Sequence, residues 1–368
     1  MKIKTIRAFR VVQPFVDGPY RMSKGRVADC FDSLIVGITS DDGITGWGEM
    51  APLGTFYSAA FASGARAGIG EIAPHLLGED PRGLAKLGRL MDTVFKGHPY
   101  IKSAIDMAAT DLVARAAGMP MVEFLGGREA ETAPVYKVVT HGSPDSMVEH
   151  ALRITGEGVS RIQIKVGGAV RDDIERVRAV AAAVPRGTVV FCDANAAWSA
   201  FEARQFGDAT RDIDYVFEQP CATIDDNLSI RRSFDKPMVL DESIQSLADL
   251  MDVHRKGAAE GVTLKISRLG GVTNTRKLRD LAVDLGLMVT VEDTGGAEID
   301  TAAMAHLSLS TPVERRLHAI AFHEWVTVRT ARNAPPVWPD RIGIPKGPGL
   351  GIDVDESLLG EPFGVWNA

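Results

Sequence analysis

The sequence is poor in cysteine, in long apolar runs and in excess positive charge, and each shortage argues against a class of protein. Three cysteines among 368 residues, an odd number without a C-x-x-C pair, do not predict a disulfide framework or a structural zinc site. No stretch approaches the ~20 consecutive apolar residues of a membrane-spanning helix. A formal net charge of −7 argues against a nucleic-acid partner, which requires a basic surface.

The composition that remains is that of an ordinary folded protein, with 45% apolar and 24% charged residues. The first residues alternate between polar and apolar like a strand, and no apolar segment with a cleavage site follows them, so we expect a cytoplasmic location. A chain of 368 residues can hold a barrel of about 250 residues together with a second unit of about 100.

The N-terminal third has its own pattern. Strand-like alternation covers 6–12, 33–39 and 44–49, and the last two runs flank an Asp-Gly turn, which is typical of a hairpin. Helical periodicity follows from about residue 59 to 117. Strands followed by helices predict a separate α+β capping domain over residues 1–127.

From residue 128 short β-branched runs alternate with helical patterns. Eight such runs are predicted, at 135–139, 162–166, 189–192, 215–217, 238–240, 262–266, 288–291 and 317–321. Strand–helix alternation predicts a parallel sheet, and eight units predict a closed barrel. An open nucleotide-binding sheet is the alternative, but no G-x-G-x-x-G follows any run.

The predicted fold class is therefore α/β, a (β/α)7β-type TIM barrel over residues 128–325. The segment 326–368, rich in Pro and Gly, is expected to return to the N-terminal unit and to complete the capping domain.

Charged residues follow the predicted strands at regular intervals. Their positions lie 23 to 28 residues apart, about one strand–helix unit each, and are Lys165, Asp193, Glu218, Asp241, Lys265 and Asp293. A single acid at a strand end is more often a helix cap than a functional group. A charge at the end of each of several consecutive units instead predicts a cluster at the C-terminal mouth of the barrel, where barrel active sites lie.

The three central carboxylates predict a metal site. Asp193, Glu218 and Asp241 would repel one another at close range unless a cation lay between them. Oxygen ligands favour Mg²⁺, with Mn²⁺ as its substitute, whereas zinc favours His or Cys ligands.

The lysines predict proton transfer at a carbon next to a carboxylate. Lys165 and Lys265, 100 positions apart, should face each other across the mouth as acid and base. The enediolate formed by losing the α proton carries extra negative charge, which a bound metal stabilises.

Several short motifs, in order along the whole chain, resemble the enolase superfamily, and within it the mandelate racemase/muconate lactonizing enzyme family and its muconate-cycloisomerase-like group. The motifs are Gly46-Trp47-Gly48-Glu49, Ala104 to Ala108, Ile164-Lys165, Asp193-Ala194-Asn195, Glu218-Gln219-Pro220, Asp241-Glu242-Ser243 and Lys265 to Gly271.

The resemblance implies a role for each matched position. Asp193, Glu218 and Asp241 become metal ligands, Lys165 and Lys265 the acid and base, and Asn195 and Glu242 residues that support the ligands. One position departs from the group: where it usually has Lys-x-Lys, this chain has Gln163-Ile164-Lys165. The charge that would help to lower the pKa of Lys165 is therefore missing.

The loops at 16–21 and 52–57 resemble those expected to fold over the site. They and the chain after the barrel predict an aromatic wall of Tyr20, Phe56, Tyr57 and Trp325, suited to a cationic amine. Asp293 or Glu292 could meet the same amine. The sequence 292–296 lacks the Asp-x-Asp pattern of similar dipeptide epimerases.

These features look most like the proline-derivative enzymes of the group. The predicted function is racemisation, epimerisation or dehydration of proline betaine, hydroxyproline betaine or cis-3-hydroxyproline, all small carboxylates. The alternatives are a muconate-type cycloisomerase or another acid-sugar or amino-acid enzyme of the superfamily, and a non-catalytic barrel, which the intact lysines and acids disfavour. No nucleic-acid or membrane partner is predicted, and the resemblance implies a homo-oligomer.

Overall fold

In the computed structural model, which describes residues 1–368, the N-terminal third opens with an antiparallel sheet. Its strands and a small hairpin are β1 (Ile3–Pro14), β2 (Tyr20–Arg21), β3 (Val27–Ala28), β4 (Cys30–Ser40) and β5 (Thr45–Met50). β4 pairs with both β1 and β5, and β2 pairs with β3. The alternation around the Asp-Gly turn thus forms the β4–β5 hairpin.

Helices then cover the sheet. They are α1 (Ala62–Ile72), α2 (Leu84–Val94), α3 (Pro99–Ala116) and α4 (Met121–Phe124). α3 lies directly on β5: a Cβ at Gly46 would come within 2.2 Å of the Ala108 carbonyl oxygen, and one at Gly48 within 2.0 Å of the Ala104 oxygen. The two glycines are therefore needed for this backbone contact.

The central sheet has seven parallel strands. After the short strand β6 (Ala133–Pro134) these are β7 (Lys137–Val139), β8 (Arg161–Lys165), β9 (Val189–Asp193), β10 (Val216–Glu218), β11 (Met238–Leu240), β12 (Gly261–Lys265) and β13 (Met288–Glu292). Neighbours in the sheet are also neighbours in the chain. Each connection is therefore a single strand–helix–strand unit, as a barrel requires.

The eighth predicted run closes the ring without forming a regular strand. Arg316 bridges to Val289 at one edge of the sheet, and Ala319 bridges to Val135 at the other. The Leu317 N–H donates to the Val289 carbonyl at 2.9 Å, and the Tyr136 N–H donates to the Ala319 carbonyl at 3.2 Å. The (β/α)7β-type barrel is confirmed, with its last strand reduced to single bridges.

Helices surround the barrel. They are α5 (Pro144–Gly156), α6 (Val170–Ala183), α7 (Ala200–Ala209), α8 (Ile224–Arg231), α9 (Leu247–Lys256), α10 (Ile266–Leu269), α11 (Val272–Asp284) and α12 (Glu298–Leu309). Four of them begin at a Ser or Thr whose side chain accepts a backbone N–H, namely Ser143, Ser199, Thr223 and Ser246. These caps satisfy N–H groups that the helices leave unpaired and mark where each helix starts.

The chain end returns to the N-terminal sheet. It forms β14 (Val337–Trp338), β15 (Arg341–Ile342), α13 (Glu356–Leu359) and β16 (Gly364–Asn367), and β16 pairs antiparallel with β1. Single 3₁₀ turns lie at Ser23–Gly25, Ala73–Leu76, Val313–Arg315 and Phe322–Glu324.

One apolar core joins the two units. A cluster of 67 buried residues includes Phe31 and Trp47 from the N-terminal sheet together with barrel residues such as Phe217 and Leu264. This shared core holds the loops of the N-terminal unit over the barrel mouth. None of the helices has the length and apolar character needed to cross a membrane.

Candidate active site

Six charged side chains meet at the C-terminal mouth of the barrel. They belong to neighbouring strand ends, are between 1% and 5% exposed, and are Lys165, Asp193, Glu218, Asp241, Lys265 and Glu292. Strand register aligns them: Lys165 lies opposite Asp193, which lies opposite Glu218, while Lys265 lies opposite Glu292. All six line one cavity of about 30 Å³.

The Lys165 side is built from one carboxylate and amides. Lys165 Nζ donates to Asp193 Oδ2 at 2.5 Å. The backbone N–H of Asn195 donates to Asp193 Oδ1 at 2.8 Å, and its side-chain Nδ2 donates to Asp193 Oδ2 at 2.9 Å and to Glu242 Oε1 at 3.0 Å. Burial alone lowers the pKa of Lys165, but the charges of Asp193, Tyr20 and Glu218 outweigh it and hold that pKa well above its usual value.

Glu218 has no cation in hydrogen-bond contact. Its Oε2 accepts from Gln163 Nε2 at 2.8 Å. Gln163 and Lys165 lie two residues apart on β8, so both side chains point to the inward face of the barrel. Burial, and then repulsion from Asp193 and Asp241, raise the pKa of Glu218 well above its usual value. Among the three central acids, Glu218 is therefore the one whose negative charge no neighbouring cation contacts directly.

The Lys265 side is more highly charged. Lys265 Nζ lies 3.2 Å from Glu292 Oε2, 3.3 Å from Asp241 Oδ2 and 3.4 Å from the Asp293 carbonyl oxygen. The ammonium also lies 5.4 Å from the centre of the Tyr57 ring, within cation–π range. Burial by itself lowers the pKa of Lys265, but Asp241 and Glu292 outweigh it and raise that pKa.

Asp241 contacts Arg268, Tyr57 and Lys265. Arg268 Nη1 lies 2.7 Å from its Oδ1, and the Tyr57 hydroxyl donates to its Oδ2 at 2.9 Å. Burial tends to raise the pKa of Asp241, but the charges of Arg268 and Lys265 outweigh burial and lower it. This carboxylate therefore stays ionised.

Four of the five residues predicted to bind substrate line the cavity, and the fifth, Phe56, does not. Tyr20, Tyr57 and Trp325 line it, with the Tyr20 and Trp325 rings 5.2 Å apart. Phe56 does not line it, because its ring packs near Gly54 instead, where a Cβ would lie 2.6 Å from the ring. Asp293 lines it, but its carboxylate turns away and accepts the N–H groups of Ser267 and Thr294 at 2.9 and 2.7 Å.

Two residues of the site were not predicted. The Tyr136 hydroxyl donates to Glu292 Oε1 at 2.8 Å, and Arg268 contacts Asp241. Tyr136 is the one aromatic residue in the β-branched run 135–139, and Arg268 follows Lys265 by three residues. Both residues stand out in the sequence, but neither position indicates which acidic side chain the residue contacts.

The carboxylates also provide a test of the predicted metal site. As arranged, no group of three or more acidic, His or Cys side chains is gathered closely enough to hold an ion, since amides, lysines and an arginine hold Asp193, Glu218 and Asp241 separately. The chemistry of the donors fits a hard divalent cation: three buried acids end adjacent strands, and buried oxygens of Gln163, Asn195 and Glu242 lack a protein partner.

Family models cover both units of the chain. Residues 5–126 match the mandelate racemase/muconate lactonizing enzyme N-terminal domain, and residues 146–358 match the enolase C-terminal domain-like model. The chain belongs to the mandelate racemase/muconate lactonizing enzyme family. The resemblance drawn from its motifs is confirmed, and this family member is an enzyme of the enolase superfamily.

Individual members of the family are similar over the full length. A cis-3-hydroxy-L-proline dehydratase of Roseibium aggregatum is 38% identical, covering 98% of this chain and 99% of that protein. A crystal structure of a mandelate racemase/muconate lactonizing enzyme from Roseovarius nubinhibens has a TM-score of 0.96 at 35% identity, covering 100% of this chain and 99% of the other. A member of the enolase superfamily from the same organism, complexed with magnesium, has a TM-score of 0.94 at 35% identity and full coverage of both chains.

Proposed function

We propose that this enzyme removes the α proton of a cis-3-hydroxyproline and expels the 3-hydroxyl group, a dehydration. The observation that carries the proposal is the pair of lysines on opposite sides of three buried carboxylates, at the mouth of a barrel of this family. The full-length similarity to a cis-3-hydroxy-L-proline dehydratase supports the choice of substrate.

The three central acids are the proposed metal ligands. Asp193, Glu218 and Asp241 would hold Mg²⁺, or Mn²⁺ in its place, and this ion supplies stabilisation of the negative charge that develops on the substrate carboxylate. Gln163 holds Glu218 and Asn195 holds Asp193 through hydrogen bonds, and Glu242 in turn accepts from Asn195. With a cation held by these acids, less of their charge would act on the lysines, and the pKa of each lysine would fall toward the range where a base works.

The lysines carry the protons. One lysine takes the proton from Cα, the C3–O bond breaks, and the hydroxyl leaves as water after taking a proton from the other lysine. A double bond forms between Cα and C3. Because the two lysines face each other across the mouth, each serves one face of the substrate.

Aromatic residues recognise the amine in this proposal. Tyr20 and Trp325 line the cavity, and the face of an aromatic ring attracts a cationic nitrogen. The cavity of about 30 Å³ holds little more than a water molecule. The loops that carry Tyr20 and Tyr57 must therefore open to admit substrate and close over it.

Proton NMR of the purified protein with Mg²⁺ and cis-3-hydroxy-L-proline tests the proposal. We expect the Cα and C3 proton resonances to disappear together as water is lost, while trans-3-hydroxy-L-proline stays unchanged. Turnover of another carboxylate with no reaction of the cis isomer would contradict the proposed substrate.

A second candidate is epimerisation of a proline betaine. The observation that favours it is the presence of a lysine on each side, since a proton removed from one face can be returned to the other. The two reactions differ in outcome: dehydration consumes the 3-hydroxyl, whereas epimerisation changes only the configuration at Cα. A muconate-type cycloisomerase is not favoured, because an acidic and aromatic cavity suits an amine better than a second carboxylate.

A further inference from the structure

The barrel has a seam beside Lys265, the junction at which β7 and β13 meet. These strands are the two edges of the seven-stranded sheet. The eighth run joins the edges through single bridges, from Arg316 to Val289 and from Ala319 to Val135. Few backbone hydrogen bonds therefore align the two edges, and a side-chain contact across the seam has more influence on the strand ends than it would inside a regular sheet.

A side-chain hydrogen bond crosses the seam at the mouth of the barrel. Tyr136 immediately precedes β7, and Glu292 is the last residue of β13. The Tyr136 hydroxyl donates to Glu292 Oε1 at 2.8 Å and lies 3.4 Å from Oε2. Both residues are 4% exposed. A hydrogen bond to a carboxylate is stronger than one between neutral groups, and burial strengthens it further, so this contact holds the two residues together across the seam.

The ring of Tyr136 is itself fixed by packing on the eighth run. Its centre lies 4.4 Å from the centre of the His318 ring, and the His318 ring lies 4.6 Å from that of Phe191 in β9. His318 and Phe191 are both buried. Two side-chain torsions set the direction of a tyrosine hydroxyl. With the ring held by its neighbours, the hydroxyl has few directions available, and its hydrogen bond therefore restricts the position of Glu292.

Glu292 in turn contacts Lys265, which lies opposite it in the register of β12 and β13. Glu292 Oε2 accepts from Lys265 Nζ at 3.2 Å. The other carboxylate at this ammonium is Asp241 at 3.3 Å, one of the proposed metal ligands, and the remaining acceptor is the Asp293 backbone carbonyl oxygen at 3.4 Å. Glu292 is therefore the acidic side chain that contacts Lys265 from outside the proposed ligand set.

We propose that Tyr136 is a positioning residue, which orients Lys265 by holding Glu292 across the seam of the barrel. Loss of the Tyr136 hydroxyl would free Glu292 to rotate and would remove a fixed contact from Lys265. Lys165 is held differently, because its Nζ donates to Asp193, whose other donors are amide N–H groups. The inference rests on the proposed role of the two lysines in proton transfer.

Two substitutions separate this role from a direct contact with the substrate, since Tyr136 also lines the cavity. Tyr136→Phe keeps the ring and removes the hydroxyl, and Glu292→Gln keeps the shape of Glu292 but alters its contacts with Tyr136 and Lys265. If Tyr136 acts through Glu292, the effects of the two substitutions do not add in the double variant. Tyr215→Phe is the matched control, because Tyr215 is also buried and its hydroxyl bonds Thr210, outside the mouth.

The measurement is deuterium exchange at Cα of L- and D-proline betaine in D₂O with Mg²⁺, with Lys165→Ala and Lys265→Ala used to assign each enantiomer to its lysine. We expect Tyr136→Phe to slow exchange on the Lys265 face about tenfold relative to the Lys165 face, and Tyr215→Phe to leave this ratio unchanged. In a protein that already carries Glu292→Gln, Tyr136→Phe should change the ratio by less than about threefold. Equal loss on both faces in Tyr136→Phe, or the same effect of Tyr136→Phe with and without Glu292→Gln, would overturn the inference.

Crystal structures of the wild type and of Tyr136→Phe decide the inference where neither enantiomer exchanges. We expect Glu292 to contact both Tyr136 and Lys265 in the wild type, and its carboxylate to lie beyond hydrogen-bond distance of Lys265 Nζ in Tyr136→Phe. A Glu292 that keeps its contact with Lys265 in Tyr136→Phe, or that lacks the contact with Tyr136 in the wild type, would overturn the inference. Failure of the proposed function is recognised separately, because the wild type would then not dehydrate cis-3-hydroxy-L-proline.

Discussion

Lys165 and Lys265 lie on opposite sides of the same three acids, but the two sides of the mouth are built differently. The Lys165 ammonium donates to one carboxylate, Asp193, which two amide N–H groups of Asn195 also contact. The Lys265 ammonium faces two carboxylates, Asp241 and Glu292, and Asp241 is shared with an arginine.

This difference shows how one site can hold an acid and a base of the same residue type. If Asp193 and Asp241 hold a metal ion as proposed, Lys165 would lose its ion-pair partner, whereas Lys265 would keep Glu292, which lies 3.2 Å from its Nζ. A lysine that keeps a carboxylate partner also keeps its proton more readily. We therefore expect Lys165 to act as the base and Lys265 as the acid.

Substitution of either lysine should have the largest effect on turnover. Lys165→Ala and Lys265→Ala are each expected to lower net turnover by about 10³-fold or more, because each removes one of two proton carriers. Each variant should still exchange the α proton of the enantiomer served by its remaining lysine. Chiral chromatography with mass detection of deuterium measures both quantities; full turnover in both variants would show that the lysines are not the acid and base.

A substitution of Gln163 tests the role of Lys165 separately from that of Lys265, because Gln163 lies on the Lys165 side of the mouth. Gln163→Lys places a second cation near Lys165 and should lower the pKa of Lys165 by about one unit. A base must be deprotonated to act, so the rise of kcat/KM with pH should move to lower pH by a similar amount. A pH–rate profile checks this, with Gln163→Leu as the uncharged control; an unmoved profile in Gln163→Lys would contradict the assignment of Lys165 as the base.

The smallest effect on kcat/KM is expected for a substitution of Tyr57, which lies on the Lys265 side. Tyr57→Phe removes the 2.9 Å hydrogen bond to Asp241 and leaves the ring in place near Lys265. We expect a loss of about 1 kcal/mol in transition-state stabilisation, or roughly fivefold in kcat/KM. Tyr215→Phe, which removes a hydroxyl bonded to Thr210 at 2.9 Å outside the mouth, should change nothing; equal effects of the two variants would argue against a role for the Tyr57 hydroxyl.

The sequence predicted the barrel and the positions of its charged groups because strand–helix units have nearly constant length. Intervals of 23 to 28 residues between Lys165 and Asp293 place each charge at a strand end whatever the details of packing. The intervals do not specify which charge contacts which. The contact of Tyr136 with Glu292, for example, joins strands that are distant in sequence and meet only when the barrel closes.

The sequence also does not predict the direction in which the side chains point at the end of β13, the seventh strand of the barrel sheet. Glu292 and Asp293 were equal candidates for the amine, but only Glu292 points into the mouth between Lys265 and Tyr136. The Asp293 carboxylate instead accepts the N–H groups of Ser267 and Thr294 at 2.9 and 2.7 Å. The contact with Ser267 joins the ends of two strands, so no local sequence pattern reveals it.

Exchange of the α proton in D₂O tests the central claim most directly, because it detects proton removal whether dehydration or epimerisation follows. Cis-3-hydroxy-L-proline and L-proline betaine would be incubated with the enzyme and Mg²⁺, with a chelated sample and the double variant Lys165→Ala/Lys265→Ala as controls. We expect loss of the Cα proton resonance of at least one substrate in the Mg²⁺ sample and in neither control. Exchange that persists undiminished in the double variant or after chelation would contradict it.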